Sequence, residues 1–537
     1  MKASCVTVSY EKTGYFSRLA TDYLKGVEAL RPFYSHTPGI EGIKASIEAR
    51  NRFEQNRELL VRVLKEQYNG IEITAALQQN LDALLSPDCY TVTTAHQPNI
   101  YTGPLYFIYK ILHAIKLAEF LRNEIPGKQF VPVYYMGSED ADLDELGHIF
   151  LSGEKVEWNT KQTGAVGRMN TKGLEQILNR LQGEFGHLPH AQEMIALCKE
   201  AYTKNANIQQ ATLYLVNRLF GQFGLVVLVP DNALLKSAFI PVLKKELFER
   251  FSYPLVQETA AAMEGRYKVQ TSGREINLFY LSDDGSRDRI EYIHAGGEEK
   301  WQVINKDLVF TKDQLLQELE AHAERFSPNV ILRGVFQETV LPNVAFIGGG
   351  GELAYWMELK KVFTAAEVPF PVLLLRNSFL LIEESDKALQ DKLKLDAERL
   401  FIKKDLLLEE YAVNNASASL DTKKQQQEIF NVYRELQEQA SAIDPTLKAH
   451  VAALHAGTLK GMMNLEKKFL RAEKRKQSEY SGQLQKLKSS LFPQDSLQER
   501  IDNFMPFYAK YGNEILDILY RYSQPFAEEF SVLNIGM

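Results

Sequence analysis

The sequence is poor in cysteine: its 537 residues include only Cys5, Cys89 and Cys198, which lie far apart. Disulfide frameworks and cysteine-rich zinc sites need closely spaced cysteines, so the sequence argues against both. The chain also lacks an apolar run long enough to span a bilayer, and its N-terminus lacks the apolar core of a signal peptide. These absences predict a cytoplasmic protein with no membrane partner.

The chain has little excess charge of either sign, because 62 Lys and Arg residues face 69 Asp and Glu residues, for a net charge of −7. Nucleic-acid-binding proteins usually carry a clear positive excess, so no nucleic-acid partner is expected. Hydrophobic residues make up 45% of the chain and charged residues 24%, as in ordinary globular proteins. The length allows about two to four domains.

Residues 90–121 form the most informative stretch. A β-branched run at 90–94 is followed by a polar loop and, after Gly103-Pro104, by a segment with helical periodicity. Because proline is favoured at the first helical position, we expect the helix to begin at Pro104 and its free N–H groups to bind an anion. The alternative is an ordinary crossover helix with a snorkelling lysine. The candidate site residues here are His96, Gln97, Asn99, Thr102, Gly103, Tyr106 and Lys110.

Short apolar runs alternate with helical segments over the first 384 residues, which is typical of a parallel α/β sheet. Ligands bind beyond the carboxyl ends of the strands in such sheets, so the loops that follow the strands are the candidate sites. Two insertions are predicted, at about 152–206 and 231–325. The predicted core strands are residues 90–94, 130–136, 225–229, 329–334, 343–347 and 371–375.

An acidic stretch follows the predicted strand 130–136, with five carboxylates between Glu139 and Glu145. It is not a calcium-binding EF-hand loop, because Glu145 stands where that loop needs glycine and Leu151 where it needs glutamate. It could bind an amine, a hydroxyl-rich substrate, or Mg²⁺ together with nucleotide phosphates. It could equally be a solvated loop that caps a helix. The candidates chosen here are Glu139, Asp140 and Asp142.

A glycine run joins the predicted strand 343–347 to a helix at 352–363. Glycine allows positive φ and a close approach of the backbone to a ligand, although this run matches neither a dinucleotide fingerprint nor a Walker A loop. Two arginines at predicted strand ends could clamp a carboxylate or phosphate, or could pair with the acidic stretch. The candidates from these loops are Arg333, Gly349, Gly350, Gly351, Glu352, Arg376 and Ser378.

From about residue 385 the sequence changes to charged helix. Apolar residues keep helical spacing on both sides of Asp444-Pro445, which predicts an all-α antiparallel coiled-coil hairpin. Such an arm usually makes a dimer contact or packs internally. The expected domains are a core at 1–384, a helical coiled-coil domain at 385–503, and C-terminal helices at 504–537 that return to the core.

Taken together, five segments resemble the BshC family, the cysteine ligases of bacillithiol biosynthesis. They are TTAHQPNIYTGPLYFIYK, FVPVYYMGSEDADLDELGH, AVGRMN at 165–170, VFQETVLPNVAFIGGGGELAYWMEL, and PVLLLRNSF followed by the helical arm. The resemblance implies a Rossmann-like core related to class I synthetases and nucleotidyltransferases, two insertions, a coiled-coil domain and a homodimer. It also implies that cysteine is joined by an amide bond to the glucosamine amine of glucosaminyl-malate.

The sequence departs from the family pattern at three places. The usual Gly-Glu-Asp-His-Asp appears as Ser138-Glu139-Asp140-Ala141-Asp142, Gly-Pro-Gly-Glu as Gly349-Gly350-Gly351-Glu352, and Arg-Pro as Arg333-Gly334. The missing histidine matters most, because a neutral imidazole is a common base or ligand. His96 is expected to supply that imidazole.

Amide formation requires an activated carboxylate and a neutral amine, and this predicts roles for the candidates. His96, Gln97 and the helix N-terminus at Gly103 would bind phosphate or acyl oxygens, while Lys110 and Arg376 offset negative charge. Glu139, Asp140 and Asp142 would hold an ammonium group, one of them acting as general base. ATP and Mg²⁺ are expected on chemical grounds, although no nucleotide motif is legible and the metal ligands are unknown. The alternative function is a non-catalytic dimeric scaffold with a synthetase-like core.

Overall fold

The computed structural model describes residues 2–295, 297–416 and 420–536. The chain forms two compact units. The first unit contains the residues up to Leu381 together with Ser496–Ile535, and the second contains Ile382–Asp495. No helix in the described part of the chain is long and apolar enough to cross a membrane.

The strands of the first unit form four sheets. In chain order they are β1 (Ala3–Ser9), β2 (Cys89–His96), β3 (Gln129–Met136), β4 (His148–Leu151), β5 (Glu154–Glu157), β6 (Val226–Leu228), β7 (Leu278–Leu281), β8 (Arg287–Ala295), β9 (Glu298–Val303), β10 (Leu308–Thr311), β11 (Phe326–Pro328), β12 (Asn343–Gly348), β13 (Val372–Leu375), β14 (Phe379–Ile382) and β15 (Glu529–Ile535).

The helices of the first unit lie between these strands. The α-helices are Tyr10–Thr13, Arg18–Leu24, Ile40–Arg50, Arg57–Gln67, Ala75–Ala83, Tyr106–Glu124, Leu143–Leu146, Glu175–Phe185, Ala191–Lys204, Ile208–Phe220, Ala233–Ser237, Ile240–Glu249, Ser252–Met263, Lys312–Ala321, Val330–Val340, Gly350–Glu358, Lys360–Ala365, Gln498–Ile501, Met505–Tyr511 and Glu514–Tyr522.

The central sheet has the order β13-β12-β2-β3-β6, and each of its strand pairs is parallel. This confirms the predicted parallel α/β core. The chain adds β3 and β6 on one side of β2, then returns to add β12 and β13 on the other side. The strand order therefore reverses between β2 and β12, and the carboxyl ends of these two strands, at His96 and Gly348, flank the switch point where ligands bind in such folds.

The helix Tyr106–Glu124 packs on the central sheet and fixes the position of the loop before it. Ala114, Leu117 and Leu121 on the helix are fully buried against Tyr90 and Phe130 of the sheet. At about 25 cal/mol per Å² of apolar surface, each large side chain buried in this way stabilises the fold by roughly 1.5 to 3 kcal/mol. The polar residues of this helix are consequently held on a rigid support.

Two features of the core differ from the sequence predictions. Residues 329–334 are not a strand, because the side chain of Asn329 accepts a hydrogen bond from the Ile331 amide and so starts the helix Val330–Val340. The helix after Gly103 begins at Tyr106, not at Pro104, which instead forms a bridge to Asn503. The Phe107 amide donates to the Pro104 carbonyl and the Ile108 amide to the Leu105 carbonyl. The anion site expected at this N-terminus is therefore largely occupied by the protein's own carbonyls.

The remaining strands form three further sheets. β1 pairs antiparallel with β15, and β15 also pairs with β14, so that the two ends of the chain meet in one sheet. The region predicted as the second insertion contributes β7 to β10 to an antiparallel sheet of order β10-β9-β8-β7-β11. β4 and β5 form a hairpin at the start of the region predicted as the first insertion, and β4 precedes its predicted boundary.

The second unit is helical and confirms the predicted hairpin at Asp444-Pro445. The two long helices contact each other side by side: the Tyr433 hydroxyl lies 2.8 Å from Thr458 Oγ1, and the Thr422 amide donates to Glu466 over 2.9 Å. Its helices are Glu384–Lys392, Lys404–Asn414, Lys423–Ile443, Leu447–Lys476 and Ser478–Leu491.

Candidate active site

A cavity of about 300 Å³ lies at the switch point of the central sheet. It is walled by the ends of β2 and β3, the first turns of the helices Tyr106–Glu124 and Gly350–Glu358, and residues that follow β13. The predicted site residues in its lining are His96, Gln97, Tyr106, Lys110, Arg333, Gly349, Gly351, Glu352 and Arg376. The structure thus brings together residues that are up to 280 positions apart, from His96 to Arg376.

Lys110 connects β2 to the glycine loop. Its side chain is almost fully buried, and Nζ lies 2.7 Å from Glu352 Oε2 and 2.5 Å from the Ala95 carbonyl oxygen. Glu352 also accepts a hydrogen bond from the Gly349 amide over 2.8 Å. Burial lowers the pKa of Lys110, while the neighbouring Glu352 carboxylate acts in the opposite direction. Lys110 therefore places a cation at the cavity wall that already has a partner.

Arg376 is held by a residue that the sequence analysis did not identify. Its Nη2 donates to Glu499 Oε1 over 2.7 Å, and its Nη1 donates to Ser378 Oγ over 3.0 Å. Glu499 and Arg376 are both buried, with side-chain exposures of 1% and 4%. The guanidinium also lies 5.1 Å from the ring centre of Tyr106. Ser378, a predicted ligand-binding residue, thus serves to orient Arg376.

His96 presents a buried nitrogen without a protein partner. Its Nε2 has no hydrogen-bond partner among the described residues, and its ring lies 5.2 Å from that of Tyr106. Burial lowers the pKa of His96 well below its ordinary value, and the positive charges of Lys110 and Arg376 lower it further. The imidazole is therefore neutral at pH 7 and can accept a hydrogen bond or a proton.

The glycine loop supplies room and free amides instead of the positive φ that we expected. Gly349 has φ −73°, a value open to any residue, and Gly350 begins the next helix. A Cβ on Gly348 would come within 2.9 Å of the Glu352 Cβ, whereas a Cβ on Gly351 would meet no atom within 4 Å. In the described backbone no acceptor takes the Gly350 or Gly351 amide hydrogens. These amides are available to an anion at the start of the helix.

The first part of the acidic stretch is engaged in ion pairs. Glu139 pairs with Lys236 and accepts a hydrogen bond from Ser327 over 2.8 Å. Asp140 makes a two-pronged pair with Arg333 and lies 3.9 Å from Arg287. Of the two roles predicted for Arg333, clamping an anion or pairing with the acidic stretch, the structure shows the pairing.

The second part of the acidic stretch contains both a capping residue and a cavity residue. Asp142 accepts a hydrogen bond from the Glu145 amide and caps the helix Leu143–Leu146. Glu145 lines the cavity. Its pKa is raised by partial burial and by the nearby charges of Asp142 and Asp140. Glu145 thus has the position and the basicity that we had sought in Glu139, Asp140 and Asp142.

The other predicted residues lie beside the cavity. Asn99 and Gly103 line a smaller neighbouring cavity, and Gly103 has φ 59°, where a Cβ would collide with Asn99. Thr102 is buried with φ 68°. Gly350 forms the first residue of its helix. The polar and charged lining residues that sequence reasoning missed are Tyr135, Glu145, Tyr355 and Arg500.

In the described part of the chain, no group of three or more His, Cys, Asp or Glu side chains is arranged to hold a metal ion. Glu139 and Asp140, the buried carboxylates nearest to such a role, are already paired with Lys236 and Arg333.

Comparisons with known proteins match the whole chain. The family model described as "Bacillithiol biosynthesis BshC, N-terminal Rossmann-like domain" covers residues 1–377, and "Bacillithiol biosynthesis BshC, C-terminal coiled-coil domain" covers residues 379–535. Two relatives are named "Putative cysteine ligase BshC". The one from Flavobacterium johnsoniae is 40% identical over 100% of both chains. The one from Flavobacterium psychrophilum is 39% identical over 99% of this chain and 100% of its own.

These matches agree with the predicted Rossmann-like core and coiled-coil domain. A solved structure of a putative arginyl-tRNA synthetase from Campylobacter jejuni aligns over 84% of this chain and 100% of its own, with 12% identity. Its TM-score of 0.20 is too low to support any conclusion about the synthetase relationship.

Proposed function

This chain belongs to the BshC family of bacillithiol biosynthesis, and on that premise we propose that it is a cysteine ligase. The proposed reaction joins the carboxyl group of L-cysteine to the amine of glucosaminyl-malate through an amide bond. The observation that carries the proposal is the cavity at the switch point, which combines anion-binding groups with one carboxylate of raised pKa.

The anion-binding groups suit an activated carboxylate. Gly351, whose amide is free near a helix N-terminus, lines the cavity, and Lys110 and Arg376 add positive charge to it. Both cations are already held by Glu352 and Glu499. They can therefore orient oxygen atoms without large rearrangement, as pre-organised groups do in acyl-transfer sites.

Glu145 is the proposed general base. An amine attacks an acyl carbon only in its neutral form, so the ammonium of the incoming sugar must lose a proton. Glu145 lies in the lining, and its raised pKa makes it a better proton acceptor than an ordinary glutamate. The neutral His96 is proposed to accept a hydrogen bond from the substrate through Nε2.

We propose ATP as the source of activation, because condensing a free carboxylate with an amine in water is uphill. The groups that would face its phosphates are Lys110, Arg376 and the Gly351 amide. Mg²⁺ is proposed to enter bound to these phosphates, since the described residues offer no preformed metal cluster.

We also propose that the protein is a homodimer of the cytoplasm, as the family resemblance implies. The coiled-coil unit exposes apolar side chains that a second copy could cover: the exposed fraction is 46% for Phe430, 55% for Val432 and 81% for Ile443. Apolar residues on an exposed face of a helical hairpin are typical of a partner surface.

The proposed function is tested by mass-spectrometric detection of the amide product. The pure protein is incubated with glucosaminyl-malate, cysteine, ATP and Mg²⁺, and each component is omitted in turn. Product that requires all components supports the ligase and identifies ATP as the energy source. Absence of product under every condition would contradict the proposal and favour the scaffold alternative.

A further inference from the structure

A second cavity, of about 140 Å³, adjoins the main one. We refer to it as the side chamber. It shares Tyr106, Glu145 and Arg500 with the main cavity, so these three residues form the junction between the two spaces. Its volume equals that of about five waters at liquid density, which suits part of a small substrate but not a nucleotide. Sequence reasoning placed Asn99 and Gly103 near the site but gave no role to Arg500 or His148.

Asn99 lines the side chamber and carries a buried acceptor. Only 7% of this residue is exposed, and its Oδ1 has no hydrogen-bond partner among the described residues. A buried amide oxygen without a partner costs roughly 1 to 3 kcal/mol, so such groups are rarely left unsatisfied. A ligand hydroxyl in the chamber would satisfy it.

His148 provides a second acceptor. Its Nδ1 lies 2.8 Å from the Asp144 carbonyl oxygen. A carbonyl can only accept, so Nδ1 carries the proton, and in the neutral ring Nε2 is then an acceptor. Partial burial lowers the pKa of His148, which favours this neutral form. The wall of the chamber therefore offers two acceptors suited to hydroxyl groups.

Arg500 provides the charge. The other cations of the main cavity are paired: Lys110 with Glu352, Arg333 with Asp140 and Arg376 with Glu499. Within the described residues, no ion pair involves Arg500, although it lines both cavities. A guanidinium is suited to two-pronged binding of a carboxylate.

From these contacts we propose that the side chamber binds the amine-bearing substrate, with hydroxyl groups on Asn99 and His148 and a carboxylate on Arg500. This inference rests on the proposed ligase function and identifies where one of its two substrates binds. The substrate class is an amino sugar that carries a carboxylic acid, which is the chemistry of glucosaminyl-malate.

The shared junction explains how the two substrates would meet. A substrate in the side chamber presents its amine beside Glu145, while the activated acyl group occupies the main cavity. A carbon–nitrogen bond then forms at the acyl carbon, the carbon–oxygen bond to the phosphate-bearing leaving group breaks, and the amine proton passes to Glu145. The leaving group departs with the electron pair of the broken bond.

The test is equilibrium binding by isothermal titration calorimetry, with no cysteine or ATP present. The probes are glucosaminyl-malate, methyl glucosaminide, which lacks the acid, and, in a separate arm, cysteine. The variants are Arg500→Gln, Arg500→Lys and the control Arg521→Gln, an exposed arginine that lines neither cavity. Because Arg500 is exposed, its replacement should leave folding intact.

We expect Arg500→Gln to weaken glucosaminyl-malate binding by about 10- to 100-fold, the usual effect of losing a charged hydrogen bond. Arg500→Lys should retain part of the affinity for glucosaminyl-malate. The affinity for methyl glucosaminide should not change in the Arg500 variants, and Arg521→Gln should bind glucosaminyl-malate as the wild type does. The assignment would be overturned if Arg500→Gln bound glucosaminyl-malate as the wild type does, or if it lost equal affinity for both sugars. It would also be overturned if Arg500→Gln lost affinity for cysteine alone, or if the wild-type protein did not bind glucosaminyl-malate. No ligation occurs in this binding assay, so its result is independent of the product assay. Arg500-dependent binding without product in the separate ligation assay would refute the proposed function, while the side chamber would still be the binding site for glucosaminyl-malate.

Discussion

Replacement of Glu499 by Gln should destabilise the first unit severely. Glu499 and Arg376 are 1% and 4% exposed, and the Glu499 carboxylate also accepts the Phe379 amide. Gln keeps the size of the side chain and an oxygen for Phe379, so the change removes mainly the charge. Breaking a buried ion pair in this way leaves the partner charge without compensation and costs about 3 to 5 kcal/mol.

This prediction can be measured by urea denaturation followed by circular dichroism. Arg376→Met and the double variant Glu499→Leu with Arg376→Met complete the comparison. The double variant should lose less stability than the sum of the single changes, because no isolated charge remains buried. The matched control is Asp82→Asn, which removes an ion pair with Lys65 on the surface. The side chains of Asp82 and Lys65 are 53% and 49% exposed, so this change should lower the unfolding free energy by less than about 1 kcal/mol. If Glu499→Gln cost no more than this control, the assignment of Arg376 as a residue held by Glu499 would be refuted.

Two further predictions concern the glycine loop and Asp502. Gly351→Ala should keep or raise the melting temperature, because the added Cβ meets no protein atom and alanine favours helix over glycine by about 1 kcal/mol. The same variant should bind substrate more weakly, because the added methyl group enters the cavity. An unchanged KM would contradict the second expectation. Burial raises the pKa of Asp502 from 3.8 to about 7, so between these pH values the folded protein keeps a proton that the unfolded chain has lost. Stability should therefore fall as pH rises from about 4 to 7, and Asp502→Asn should remove this dependence and stabilise the protein at pH 8 by at most about 4 kcal/mol. The test is urea denaturation of the wild type and of Asp502→Asn at pH 5 and at pH 8. An equal change of unfolding free energy with pH in the two proteins would contradict the prediction.

The central sheet was predictable because its strands are short, fully apolar runs between helical segments. Five of the six predicted core strands correspond to β2, β3, β6, β12 and β13. The run 329–334 misled because an apolar segment of strand length also fits a buried helix, and the capping side chain of Asn329 decided the outcome. β1 was missed because its residues alternate between partly buried and exposed positions, so it shows no apolar run.

The candidate site was only partly predictable, for a different reason. His96, Lys110 and Glu352 follow strands or begin helices of the parallel sheet, and the rule for such sheets locates them. Glu499 and Arg500 fall inside the predicted coiled-coil domain at 385–503, so no sequence pattern placed them at the site. Only the return of the chain to the first unit at Ser496 brings them to Arg376 and Tyr106. No local pattern in the sequence reports such a long-range contact.

The most direct test of the proposed active site is the rate of amide product formation by Glu145→Gln, measured by mass spectrometry beside Asp144→Asn. The neighbouring Asp144 is an exposed carboxylate that does not line the cavity, so it serves as the matched control. Loss of a general base should lower kcat by about 10²- to 10⁴-fold in Glu145→Gln, while Asp144→Asn should remain close to the wild type. A Glu145→Gln variant with wild-type kcat would show that the amide bond does not form at this carboxylate.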